Sequence, residues 1–184
     1  VNKKSNLNLK ITAKKFQKKL KKIKLFLTDC DGVMTNGQIF WVSKEAGWSR
    51  FFHSLDGYGL KCLQKAGIEI GVISGGKSEG LKQRCQGLGI DHIYLGDEDK
   101  RSAYLEILDK TGLKDDQVLY IGDDLFDLPI LERVGFSAAV PNSVIEVHEM
   151  VDYVTVKEGG LGAVREVCDL VRYAQGIKSE VTTF

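Results

Sequence analysis

Short apolar runs recur along this chain, each stopping at a cluster of glycine and polar residues, and this recurrence limits the folds open to it. Ile23 to Thr28, Ile68 to Ser74, His92 to Leu95, Gln117 to Ile121, Phe136 to Val140 and Tyr153 to Val156 read as strands. Helical spacing fills the gaps. Leu60, Leu63 and Ala66 share the inner face of a helix after Asp56, and Leu81, Cys85 and Leu88 mark another over Ser78 to Leu88. Lys100 to Thr111 is a third, Pro129 suits the first turn of a short one, and Val164, Val167, Cys168 and Val171 define an amphipathic last helix. Regular alternation of this kind predicts an α/β fold, a Rossmann-like three-layer sandwich with helices on both faces of a central parallel sheet.

Two segments stand outside the alternation. Residues 1–22 are rich in lysine, with Leu9, Phe16 and Leu20 as the sizeable apolar anchors, and read as a loosely attached basic extension with a solvated face. Residues 38–53 read as a β-hairpin, Gln38 to Val42 and Trp48 to Phe52 flanking a turn from Ser43 to Gly47. The hairpin carries both tryptophans and three phenylalanines, more apolar surface than it can hide, so another subunit is expected to cover it. The main domain is therefore placed at 23–176, with 177–184 as a tail.

The 184 residues suffice for one domain with a sizeable core, and 43% hydrophobic content is ordinary for a soluble protein. A formal charge of +1 argues against general attraction to nucleic acid or membrane surfaces. No apolar run is long enough to span a bilayer, and the basic start lacks a signal peptide's apolar core. Cys30, Cys62, Cys85 and Cys168 lack metal-site spacing, and three fall on apolar positions, so free buried thiols in the cytoplasm are expected. His53, His92 and His148 form no zinc-ligand pattern.

In a sheet of this type the functional site lies beyond the carboxyl ends of the strands. There the chain places Asp29 and Asp31, then Ser74, Gly75 and Gly76, then Asp97 and Lys100, then Asp123, Asp124 and Asp127. Asp29 and Asp31 are two apart, so their side chains project to the same side, and like charges that close call for a cation or a shared proton. Several carboxylates without a histidine or cysteine cluster favour a hard cation such as Mg²⁺. A serine hydroxyl, glycine N–H groups and a lysine suit a phosphate, and one carboxylate can attack phosphorus.

Other classes compete. Gly71 to Ser78 matches G-x-x-x-x-G-K-[ST], a nucleotide-binding P-loop, although its first glycine falls inside a predicted strand. A signalling receiver domain also uses carboxylates, a hydroxyl and a lysine, but needs a lone aspartate on a middle strand. A non-catalytic scaffold built around the hairpin leaves the polar strand ends without a role.

Asp29-Cys30-Asp31-Gly32-Val33, Ser74, Lys100 and Gly122-Asp123-Asp124 with Asp127 together resemble the four motifs of the haloacid dehalogenase superfamily. From Ile23 to Gly176 the chain resembles its capless branch, the 3-deoxy-D-manno-octulosonate 8-phosphate phosphatases, in Thr35-Asn36-Gly37, Asp56-Gly57-Tyr58-Gly59 and the run from Gly159 to Leu170. The resemblance implies a Mg²⁺-dependent phosphatase for a small sugar acid phosphate, used in lipopolysaccharide precursor synthesis. It implies Asp29 as nucleophile and metal ligand, and Asp31 as general acid and base with its main-chain carbonyl on the metal. Asp123 is implied as a further ligand, Ser74 and Lys100 as phosphoryl binders, and Asp124 and Asp127 as support. Substrate positions implied are Asp31, His53, Ser54, Leu55, Asp56, Gly57, Lys61, Gly75, Gly76, Arg84 and Lys100. A homotetramer is implied too, a neighbour's hairpin serving as the missing cap. Relatives commonly carry arginine where this chain has Leu55 and Gly76, so a sialic-type nine-carbon acid 9-phosphate stands as an alternative substrate.

Overall fold

The computed structural model describes residues 3–45 and 47–178, with side chains from Asn8 onward. Two helices, α1 (Lys3–Lys15) and α2 (Gln17–Leu20), lead into β1 (Leu25–Thr28). The hairpin follows as β2 (Phe40–Ser43) and β3 (Gly47–Ser49), and then α3 (Ser54–Lys65), β4 (Glu69–Ser74), α4 (Glu79–Gly87) and β5 (His92–Leu95). The second half runs α5 (Lys100–Thr111), β6 (Val118–Gly122), α6 (Leu128–Leu131), β7 (Phe136–Ala139), α7 (Ile145–Met150), β8 (Tyr153–Val154) and α8 (Ala163–Gln175).

Among the described residues six strands form one parallel sheet in the order β5-β4-β1-β6-β7-β8. The chain winds outward from β1 in one direction, returns to β6 and winds outward in the other. The reversal lies between β1 and β6, and a doubly wound sheet opens its crevice at that point. Asp29 and Asp123 directly follow these two strands.

Alternation along the strands divides the core. Phe26, Ile70, Val72, Leu119 and Ile121 face the layer of α1, α2, α3, α4 and α8. Leu25, Leu27, Ile73, Val118 and Tyr120 face the layer of α5, α6 and α7.

Several expectations are corrected. The N-terminal segment is packed rather than loose: Ala13, Leu20 and Ile23 are buried, Phe16 meets Phe136 edge to face at 5.3 Å, and Gln175 donates to the Leu20 and Ile23 carbonyls. Ala66 is exposed, because α3 ends at Lys65 and Ala66 lies in its closing turn. The last strand stops at Val154, and Val156 is solvent-exposed. Val1, Asn2, the hairpin tip at Ala46 and tail residues 179–184 lie outside the described residues.

Candidate active site

Asp29 sits at the end of β1, buried, with its N–H donating to the Ile121 carbonyl of β6. The next residues curl back: the N–H groups of Val33, Met34 and Thr35 all donate to the Cys30 carbonyl. Gly32, at φ +89°, makes that curl, and the space a side chain would take there belongs to the Asp123 carboxylate.

Lys100 opens α5 and is fully enclosed. Its Nζ donates to Asp29 Oδ1 at 2.7 Å, Asp127 Oδ1 at 2.6 Å and the Tyr120 hydroxyl at 3.2 Å. Burial would lower its pKa, but Asp29 and Asp127 more than offset this and the net direction is upward. Asp127 is saturated as an acceptor, because Tyr120 OH and the N–H groups of Asp123 and Asp124 also donate to it. Asp124 accepts from the Leu125 N–H at the start of the short turn that carries Asp127. Ser74, buried at the end of β4, accepts from the Gly76 N–H at 3.1 Å.

Asp29 Oδ2 and Asp123 Oδ1 are buried and have no hydrogen-bond partner among the described residues. Carboxylate oxygens of Asp29, Asp123 and Asp127 approach within 4.8 Å of one another. Burial, only partly offset by Lys100, pushes Asp29 up to about 7. Burial together with the Asp29 and Asp127 charges pushes Asp123 up to about 8. Buried carboxylate oxygens left without partners beside this cluster fit a cation, and an all-oxygen donor set fits a hard divalent ion. With Asp127 already saturated, Asp29 and Asp123 are the side chains free to ligate it.

Asp31 projects from the loop beyond this cluster. Its partner is Arg50, one residue past β3, whose Nε donates to Oδ1 and whose Nη2 donates to Oδ2 at 2.8 Å. The sequence reading missed Arg50. Its position directly after a hairpin strand was visible, but not the fold-back that carries it to a carboxylate 19 residues earlier.

The remaining expected residues spread more widely. Gly76 lies against Asp31, Arg50 and Ser74, while Gly75 packs against Glu98. Asp56 and Gly57 are buried at the start of α3; Asp56 Oδ1 accepts from the Arg165 N–H at 2.8 Å, and Oδ2 has no partner among the described residues. Arg84 sits over the Phe52 ring at 5.6 Å. His53 and Leu55 line a cavity of about 700 Å³ against α1 and α8, whose walls include none of the clustered carboxylates. Ser54 is exposed, and Lys61 lines a separate hollow with Tyr58 and Ile177. The P-loop reading does not fit, because Gly71 to Ser74 are sheet residues of β4 paired with β1 and β5, and Lys77 is exposed.

A doubly wound sheet with a carboxylate-lysine cluster at its reversal and a serine at the next strand end defines the class of haloacid dehalogenase-like hydrolases. A family model of that description matches residues 89–166. The 3-deoxy-D-manno-octulosonate 8-phosphate phosphatase of Escherichia coli K12 is 40% identical over 158 residues, 86% of this chain and 84% of that protein. The crystal structure of the Yersinia pestis enzyme of the same name matches with a TM-score of 0.83 at 40% identity, covering 87% of this chain and 86% of that one. The Moraxella catarrhalis enzyme, solved with magnesium ion, phosphate ion and KDO, matches with a TM-score of 0.84 at 40% identity, covering 88% and 92%. Within the class, the chain belongs to the family of 3-deoxy-D-manno-octulosonate 8-phosphate phosphatases.

Proposed function

We propose that the protein hydrolyses 3-deoxy-D-manno-octulosonate 8-phosphate to the free sugar acid and phosphate, with Mg²⁺ as cofactor. The observation that carries the chemistry is the pair of orphaned buried oxygens, Asp29 Oδ2 and Asp123 Oδ1, at the sheet's reversal beside Lys100. The relatives' substrate, with 40% identity over most of both chains, favours the eight-carbon acid over a nine-carbon one.

Asp29 attacks phosphorus, and the bond from phosphorus to the sugar oxygen breaks. Asp31 donates a proton to that departing oxygen, leaving an aspartyl phosphate. A water molecule then attacks phosphorus while Asp31 takes its proton, and phosphate departs with Asp29 restored. Lys100 holds Asp29 and offsets charge on the transferring group, and Ser74 with the N–H groups near Gly75 binds its outer oxygens. Asp29, Asp123 and the Asp31 main-chain carbonyl hold the metal, which when bound neutralises charge on the phosphoryl oxygens. The remaining substrate contacts are assigned to the segment His53 to Gly57 with Lys61, Gly76 and Arg84.

The exposed aromatic hairpin supports a homotetramer in which a neighbour closes the site. No helix among the described residues is long and apolar enough to cross a membrane, and the four free thiols suit the cytoplasm.

The test is phosphate release across a panel of sugar phosphates, with and without chelator. Activity is expected to be highest on the eight-carbon acid, to vanish with chelator and to return with Mg²⁺. Asp29→Asn is expected to fold and release nothing; continued turnover by that variant refutes the mechanism.

A further inference from the structure

Asp31 differs from Asp29 and Asp127 in having no rigid setting of its own. Asp29 is locked between β1 and Lys100, and Asp127 takes four hydrogen bonds. Asp31 stands in the loop after the strand, with its side chain 32% exposed. An acid that must meet a departing oxygen cannot be free to rotate, since misplacement by about 1 Å can cost on the order of 100-fold in rate.

We propose that Arg50 is a positioning residue, reaching from the foot of the hairpin to fix both oxygens of Asp31 for proton transfer, while Gly76 keeps its berth clear. The proposal rests on the assignment of Asp31 as acid and base. Three observations on separate elements carry it. The guanidinium grips Asp31 two-pronged through Nε and Nη2, a geometry that sets direction as well as strength. Its third nitrogen, Nη1, donates at 3.0 Å to the Ser78 hydroxyl, which also caps α4 by accepting from the Leu81 N–H. The fork is thereby fastened to the scaffold, and the Arg50 side chain is only 6% exposed. Finally, a Cβ at Gly76 would lie 2.5 Å from Asp31 Oδ2 and 2.6 Å from Arg50 Nη2. No side chain at position 76 is compatible with the fork as it stands. Arg50 and Gly76 form one device.

Leaving-group dependence tests this in the Mg²⁺-loaded full chain. An alkyl phosphate needs a proton on its departing oxygen, whereas p-nitrophenyl phosphate expels a stable anion and does not. Arg50→Met is expected to lower the alkyl-to-aryl ratio of kcat at least ~30-fold, a large part of the ~100- to 10,000-fold worth of a general acid. Gly76→Ala is expected to lower the same ratio with Arg50 still present. Arg50→Lys should recover only part of it, because an ammonium cannot grip both oxygens. Circular dichroism and the Mg²⁺-induced rise in Tm establish that each variant is folded. Equal losses on both substrates, or no change in either Arg50→Met or Gly76→Ala, would overturn the proposal. So would a loss confined to carboxylate-bearing alkyl phosphates with neutral ones spared, which would make Arg50 a substrate-binding group. Asp31→Asn run alongside separates the two claims. If it leaves the ratio unchanged, the acid assignment falls and the positioning role with it; if it lowers the ratio while Arg50→Met does not, only the positioning role falls.

Discussion

Lys100 shows how much one side chain carries. It is the cation facing two buried carboxylates, Asp29 and Asp127, and its ammonium is spent on them and on the Tyr120 hydroxyl. Removing one partner of a buried ionic cluster leaves uncompensated charge, which costs about 3–5 kcal/mol. Lys100→Met is therefore expected to lower stability by that amount, or roughly 6–20 °C in Tm for a chain of this size. Urea unfolding in chelator measures it, and a loss below ~1 kcal/mol would mean that the carboxylates take up protons instead. Asp29, Asp123, Ser74 and Lys100 were legible in the sequence because each stands at a strand end or a helix start whose apolar pattern is plain. Arg50 was not. Its role depends on the hairpin returning the chain to the loop after β1, and no local pattern encodes that. Nor could spacing tell that Asp127 would be saturated while Asp123 kept a bare oxygen.

Among the elements, the central strands were the easiest to read, because β1, β4 and β6 are buried on both faces and so run nearly continuously apolar. The N-terminal helices were harder. Lysines dominate their composition, and the stripe Leu9, Ala13, Phe16, Leu20 emerges only when the small alanine is counted with the large residues. The loop between β8 and α8 has no apolar period to read, although its glycines entered the family resemblance, and it braces the site: the Gly160 N–H donates to the Val33 carbonyl at 3.0 Å. Glu166, buried in α8, holds that loop by accepting from Tyr153 OH at 2.6 Å, the Val156 N–H at 2.8 Å and the Lys157 N–H at 3.1 Å. Glu166→Ala leaves these donors unmatched, at about 1–3 kcal/mol for each one that stays dry. A destabilisation of about 3 kcal/mol is expected, and Glu166→Gln, which keeps a carbonyl acceptor, should lose less than half of it. Hydrogen exchange at Val156 and Lys157 is the measurement, and unchanged protection in Glu166→Ala would contradict the bracing role.

For the molecule as a whole, the strand order places the carboxylates at the one crevice the winding provides, and it leaves the hairpin standing off the sheet. A two-stranded ribbon is marginal in water by itself. Here Trp41 meets Trp48 edge to face at 5.4 Å and Phe40 stacks on Phe51 at 5.0 Å, yet these rings remain open to solvent, Trp41 at 55% and Phe51 at 67%. An apolar patch of that kind on a lone chain invites association. Light scattering on the wild-type protein is expected to give four times the 20.4 kDa chain mass. Trp41→Glu with Trp48→Glu puts like charges into the patch and is expected to yield monomers. If a neighbour's hairpin closes the site, those monomers should lose roughly tenfold or more in kcat/KM on the sugar acid phosphate, about 1.4 kcal/mol of transition-state binding. Turnover of p-nitrophenyl phosphate, which needs no such closure, should fall much less. A double variant that stays tetrameric would move the interface elsewhere, and monomers with full sugar-acid turnover would show that each chain completes its own site.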